Sequence, residues 1–171
     1  YRFHGDNKPS LRGKLPALHQ ISKGNSGGIM MTLDTERVRR KIAYIRQQVS
    51  TINNITKTYS RQDIIGDPLK LSALKYLLQT SIEAMIDIAY HITAKNFNYP
   101  PCDARDAFKM LSTKGFISSS DFDTYSAMIG LRNRLVHGYD DVSPEVLYDI
   151  ITEQLGDFEK FISSIIPLIQ P

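Results

Sequence analysis

The segment Leu131-Arg132-Asn133-Arg134-Leu135-Val136-His137-Gly138-Tyr139 gathers two arginines, an amide, an imidazole and a phenol within nine residues. Arginine with histidine is the pairing that metal-free cleavage of a phosphodiester requires. An imidazole can take the proton from a ribose 2′-hydroxyl or hand one to the leaving oxygen. A guanidinium can grip the phosphate through parallel hydrogen bonds and stabilise charge in the transition state. If the segment is helical, Asn133 and His137 are four apart and share a face, so Asn133 can orient the imidazole. Arg132 lies about 140° around the helix from His137 and reaches a shared cleft only through its long side chain. Gly138 frees the backbone so that Tyr139 can turn back beside the histidine. The same residues also fit a plainer role. Cations at a helix C-terminus compensate its dipole, and a helix-end Arg/His cluster can be a cap and nothing more. Residue types and spacing leave both readings open.

These side chains need helices to hold them. Ile42, Ile45, Val49, Ile52 and Ile55 recur every three or four residues and predict a helix over residues 34–58. Asp67-Pro68 is a cap followed by a first-turn proline, and opens a long helix to about Lys95. Asp103 starts a short helix closed by Gly115. Ser120-Asp121-Phe122-Asp123 reads as a capping box for the motif helix, which Gly138 ends. Ser143-Pro144-Glu145 starts a last helix with Val146, Leu147, Ile150, Leu155, Phe158, Ile162 and Ile165 as its apolar stripe. No run alternates as a strand does. The expected fold is all-α, an antiparallel up-and-down bundle of four main helices plus a short one.

Composition narrows the function classes. The chain has 171 residues, 42% of them hydrophobic, and one cysteine. Cys102 alone rules out a disulfide framework or a Cys-rich zinc module, and without a reactive neighbour it reads as inert. No apolar run reaches the ~18 residues of a membrane helix, and no secretory signal pattern is visible. The expectation is a cytoplasmic protein with no membrane role. The sequence pI of about 8.9 suggests nucleic acid, but the charge is unevenly placed. Residues 1–30 hold Arg2, Lys8, Arg12, Lys14 and Lys23 against Asp6, while the rest is close to neutral. Those first residues are rich in Gly and Pro and show neither helical nor strand period. They are read as a leader, either a tag with its linker or an upstream extension, with the folded domain over residues 31–171.

Arg132-Asn133, His137 and Tyr139 together resemble the Arg-x4-His-x-Tyr signature of HEPN domains, and the surrounding text resembles the HepT branch. So does the helix Lys75–Ile92, which contains Ile82-Glu83-Ala84-Met85-Ile86-Asp87-Ile88-Ala89-Tyr90-His91. The resemblance covers roughly residues 34–166. It implies an all-α homodimer whose motif helices meet across a cleft. It also implies the toxin of a HEPN/MNT toxin–antitoxin pair, an endoribonuclease with Arg132 and His137 as catalytic residues and Asn133 beside them. The implied partner is a small MNT-type nucleotidyltransferase that neutralises the toxin by attaching AMP to Tyr139. RNA is the implied substrate, and neither metal nor cofactor is expected. The rival expectation is a non-catalytic helical module that docks a nucleotide or the cognate transferase.

Two further constellations carry expectations. Glu83, Asp87 and His91 are spaced four apart on an apolar helix, with Tyr76 and Thr80 on the same stripe. Carboxylates near a bundle interior are costly unless paired. The stripe lacks the second Glu-x-x-His copy of a di-metal bundle, so it is expected to pair with Arg132 or Arg134, or to line the cleft and tune His137. Arg37, Arg39, Arg40, Lys41 and Arg46 form a basic face that could track an RNA backbone or simply be a solvated face beside Asp34 and Glu36.

Overall fold

A computed structural model describes residues 33–138 and 142–170, and every described element is helical. The leader, and Tyr139 of the motif, lie outside the described residues.

Helix α1 (Thr35–Thr58) is capped by Asp34, whose carboxylate accepts the Arg37 N–H at 2.9 Å. Its apolar stripe buries Val38, Ile42, Ile45 and Ile52. A five-residue helix α2 (Arg61–Ile65) follows, opened by a reciprocal capping box between Ser60 and Asp63. The sequence pattern reads here only as a break. The single turn forms because that box satisfies its first amides and Ile64 is fully buried. Asp67 and Pro68 then start α3 (Pro68–Asn96) as expected.

Helix α3 is the centre of the bundle, packed against α1, α2, α4 (Ala104–Thr113), α5 (Ser119–His137) and α6 (Pro144–Glu153). Neighbours on several sides explain its apolar content: Leu74, Leu78, Ile82, Met85, Ile88 and Ile92 are at most 2% exposed. Each such side chain contributes about 1.5–3 kcal/mol of transfer energy, so α3 fixes the frame on which Glu83 and Asp87 sit. Asp34 meets His91 and Lys41 meets Asp87, so α1 and α3 run antiparallel.

Asp103 caps α4 as expected. Its end is closed by the Gly115 N–H to Ser112 and the Phe116 N–H to Leu111, with Gly115 at φ 80°. That left-handed turn is where glycine costs least. The capping box of α5 is Ser118 with Asp121, two residues before the expected Ser120. Phe108 of α4, Tyr125 of α5 and Phe161 of the last helix meet pairwise at 5.5 Å between centroids and knit these helices together.

The expected final helix is divided. It stops at Glu153 and resumes as α7 (Gly156–Ile165), ending in a 3-10 turn at Ile166–Leu168. Gly156 disfavours a helix interior. The turn at Gln154 and Leu155 lets Leu147 and Ile151 on one side and Phe158, Phe161 and Ile162 on the other all bury in one core. The architecture is an all-α bundle, with one more break than the apolar stripe suggested. No described helix is long and apolar enough to cross a membrane.

Candidate active site

The motif residues occupy the last turns of α5, which Gly138 terminates at φ 63° with its N–H donating to the Arg134 carbonyl at 3.2 Å. Arg132 is half-buried and faces Glu83 of α3. Its Nε donates to Glu83 Oε1 at 3.0 Å, and its Nη2 lies 3.0 Å from the same oxygen. Gln79, one turn earlier on α3, donates to that oxygen at 3.1 Å. The Nη1 of Arg132 donates to Asn133 Oδ1 at 3.2 Å. The guanidinium is thus fixed on one edge by a carboxylate and on another by an amide, with part of its donor fork left over for a phosphate.

Arg132 and Asn133 line a cavity of about 660 Å³ between α3, α4 and α5. Glu83, Asp87, Tyr90, Asp103 and Arg105 complete its polar wall. Burial, helped by the nearby Asp103 and Asp106 carboxylates, raises the Tyr90 phenol above its ordinary value, so it stays a neutral donor in that wall.

His137 lies one helical turn beyond Asn133 and is exposed. It lies outside the lining of this cavity, and no hydrogen bond joins it to another described residue. The amide oxygen of Asn133 is turned to Arg132, so within this chain Asn133 positions the guanidinium rather than the imidazole. Arg134 goes elsewhere. It lines a separate cavity with Leu78, Ile82, Met128, Leu131 and Val146.

The α3 stripe is divided among three partners. Glu83 takes Arg132, Asp87 takes Lys41 of α1, and the Nε2 of His91 accepts the Asp34 N–H at 3.1 Å. Burial first, then the neighbouring Arg37, holds the His91 imidazole below its ordinary value. Among the described residues, no cluster of three or more His, Cys, Asp or Glu could hold a metal. The α1 basic face is largely spent on the fold. Arg46 pairs with Glu159 through two nitrogens, Arg40 lies 3.7 Å from Glu36, Arg39 donates to the Ile169 carbonyl, and Lys41 is held by Asp87.

Two residues of this site had no place in the sequence reading. Gln79 was detectable, being four residues from Glu83 on one face. Arg105 was not, because it reaches the cavity from a different helix.

The family model of the ribonuclease HepT-like proteins matches residues 45–165. The chain belongs to this family. The match spans α3 and α5, the two helices that join Glu83 to Arg132. The mRNA nuclease HepT of Shewanella oneidensis is 36% identical over 128 residues, covering 73% of this chain and 92% of the relative. A putative RNase of Archaeoglobus fulgidus is 31% identical over 130 residues, covering 76% of this chain and 91% of the relative. Among solved structures, the tri-AMPylated Shewanella oneidensis HEPN toxin, in complex with its MNT antitoxin, matches with a TM-score of 0.71. That match has 30% identity and covers 77% of this chain and 98% of the other. The HepT-like fold is therefore the scaffold on which this Arg/His helix end sits.

Proposed function

We propose that this protein is a metal-independent endoribonuclease and the toxin of a HEPN/MNT toxin–antitoxin pair, acting in the cytoplasm as a homodimer. The observation that carries the reading is the Arg132 guanidinium. Glu83, braced by Gln79, and Asn133 hold it in the wall of a polar cavity, five residues before an exposed imidazole on the same helix. A dipole-compensating cap would need no carboxylate from another helix to aim it.

In the proposed reaction Arg132 binds the scissile phosphate. The 2′-oxygen attacks phosphorus as a base takes its proton, the bond to the 5′-oxygen breaks, and that oxygen leaves with a proton from an acid. His137 supplies one of these proton transfers. In a dimer that brings two motif helices together, the second His137 supplies the other. Single-stranded or looped RNA is the fitting substrate, because unstacked nucleotides reach the in-line geometry. A partner nucleotidyltransferase would silence the toxin by transferring AMP from a nucleoside triphosphate to the Tyr139 hydroxyl, with pyrophosphate as the leaving group.

The test is cleavage of single-stranded RNA in the presence of a chelator by wild type and by His137→Ala. Wild type should cut and the variant should not; equal cleavage by both would place the activity elsewhere. Co-expression with the cognate transferase should add AMP-sized mass to the wild type and none to Tyr139→Phe. Tight transferase binding with no RNA cleavage would favour the interaction-module reading. Residues 1–30 are taken to stand outside the nuclease, so a chain lacking residues 1–29 should cleave as well as the full one.

A further inference from the structure

The cavity beside Arg132 holds a second guanidinium, Arg105 of α4. We propose that Arg105 is a second phosphate-binding residue, taking another phosphate of the same RNA strand while Arg132 holds the scissile one. The assignment rests on the ribonuclease reading above.

The argument begins with partners. Each carboxylate in the cavity wall is already engaged. Glu83 is paired with Arg132 and Gln79, Asp87 with Lys41, and Asp103 accepts the Asp106 N–H at the start of α4. Arg105 is exposed and makes no hydrogen bond or ion pair with another described residue. It thus differs from Arg40, Lys41 and Arg46 of α1, which the fold pairs with carboxylates. Its place in sequence also argues against a structural role. It is the second residue of α4, where the positive end of the helix dipole disfavours a cation. A residue kept for helix stability would carry the opposite charge there.

The second observation is Gly130, inside α5 and two residues before Arg132. A Cβ built on Gly130 would stand 4.0 Å from Arg105 Nη2. Glycine within a helix is destabilising relative to alanine. The 4.0 Å separation is an ordinary contact distance, so the Arg105 guanidinium lies against α5 two residues before Arg132, and an alanine there would fit without displacing it. An unpaired cation, a cavity shared with the paired one and a glycine beneath it together describe a seat for an anion. A single-stranded RNA supplies anions at regular spacing along one strand.

The experiment compares wild type, Arg105→Ala and Arg105→Lys on a defined single-stranded RNA over a range of salt. Affinity is measured separately by fluorescence anisotropy with all three in a His137→Ala background. For Arg105→Ala, KM and Kd should rise about tenfold while kcat changes far less. The slope of log affinity against log salt should flatten by about 0.7, the value for one phosphate on a single strand. Arg105→Lys should recover part of the affinity because it keeps the charge but loses the planar fork. Arg105→Lys should melt with the wild type, and Arg105→Ala at the same temperature or slightly higher, since it removes a cation from the helix N-terminus. If wild type and Arg105→Ala cleave RNA with the same KM and the same salt slope, the Arg105 assignment is overturned and the ribonuclease reading stands. If wild type does not cleave but RNA affinity still drops in Arg105→Ala, the ribonuclease reading is overturned and the phosphate seat remains.

Discussion

Arg132 and His137 are five residues apart on the same helix, yet the fold supports them in different ways. Arg132 is fixed by the Glu83 carboxylate of α3, itself held by Gln79, and by its own neighbour Asn133. His137 is exposed on the last turn, followed at once by a left-handed glycine, and touches no described side chain through a hydrogen bond. One half of the proposed catalytic pair is preorganised within the chain. The other half is presented outward. A phosphate-binding group benefits from being fixed, since stabilisation of transition-state charge depends on a donor that need not reorganise. An imidazole that must both take and give protons has to reach solvent, substrate or a facing subunit. The difference therefore separates what the monomer completes by itself from what an assembly or substrate must complete.

This contrast predicts different stability costs for knockouts of the two proposed catalytic residues. His137→Ala should reduce RNA cleavage by about 10²–10⁴-fold, the range of general acid–base contributions. Its melting temperature should match the wild type, because exposed substitutions away from structural features shift stability by about 0.5 kcal/mol at most. A marked loss of stability would reveal a structural partner for the ring and break the contrast. Arg132→Ala should lose about 10²–10³-fold in rate and also melt earlier. It removes a pair whose members are each about one-third exposed, which discounts the cost to about 1 kcal/mol or less. Arg132→Lys keeps the charge without the fork and should restore little activity. Glu83→Gln sharpens the comparison. It keeps an acceptor for Arg132 but removes the charge that orients it. About a tenfold loss in kcat is expected, with KM for RNA little changed. A variant as fast as wild type would mean that Asn133 alone positions the guanidinium.

The sequence carried the parts of this arrangement that rest on local chemistry. Asp67-Pro68, Asp103 and Ser143-Pro144 mark helix starts because a cap needs only its own next few amides. Gly115 and Gly138 mark ends because both sit at positive φ. The division of the last helix was hidden, since Leu155 and Phe158 continue the apolar spacing of α6 across the turn. The bend shows only in the packing, where α6 lies against α1, α2 and α3 while Phe161 of α7 meets Phe108 and Tyr125. The need for a partner at Glu83 could be argued from the cost of burying a carboxylate. Whether Arg132 or Arg134 answered it depended on the rotation of α5 against α3, and the two arginines face different cavities. Arg105 had no local signature at all, because its relation to Arg132 passes through Gly130 on another helix.

A smaller effect tests the rigid half of the molecule. Tyr125 is 1% exposed between Phe108 and Phe161, and its hydroxyl has no hydrogen-bond partner among the described residues. Burial pushes the phenol well above its ordinary value. Tyr125→Phe keeps the ring contacts and removes the unpaired hydroxyl, so it should leave stability unchanged or raise it by about 1 kcal/mol. Chemical denaturation measures this directly. A loss of more than that would show that the hydroxyl is bonded in the folded protein, and the cluster would then be less purely apolar than described.

The smallest effect concerns a second histidine, His91, and is read through pH. His91 is partly buried, and its Nε2 accepts the Asp34 N–H, a bond only the neutral ring can make. The folded ring is held below the ordinary imidazole value by burial first, then by Arg37 and Lys95, with Asp34 opposing them. The unfolded chain therefore binds the proton more readily than the folded one. Stability from this source is complete above about pH 6.5. It declines as pH falls through that value toward the lower folded one, since the unfolded state then holds more protons. His91→Gln offers an acceptor that does not titrate. Melting temperatures measured between about pH 5 and 8 should fall more steeply on acidification for the wild type than for His91→Gln. Equal slopes for wild type and His91→Gln would mean that His91 is not held neutral against α1, and the line between a structural and a functional histidine would have to be drawn elsewhere.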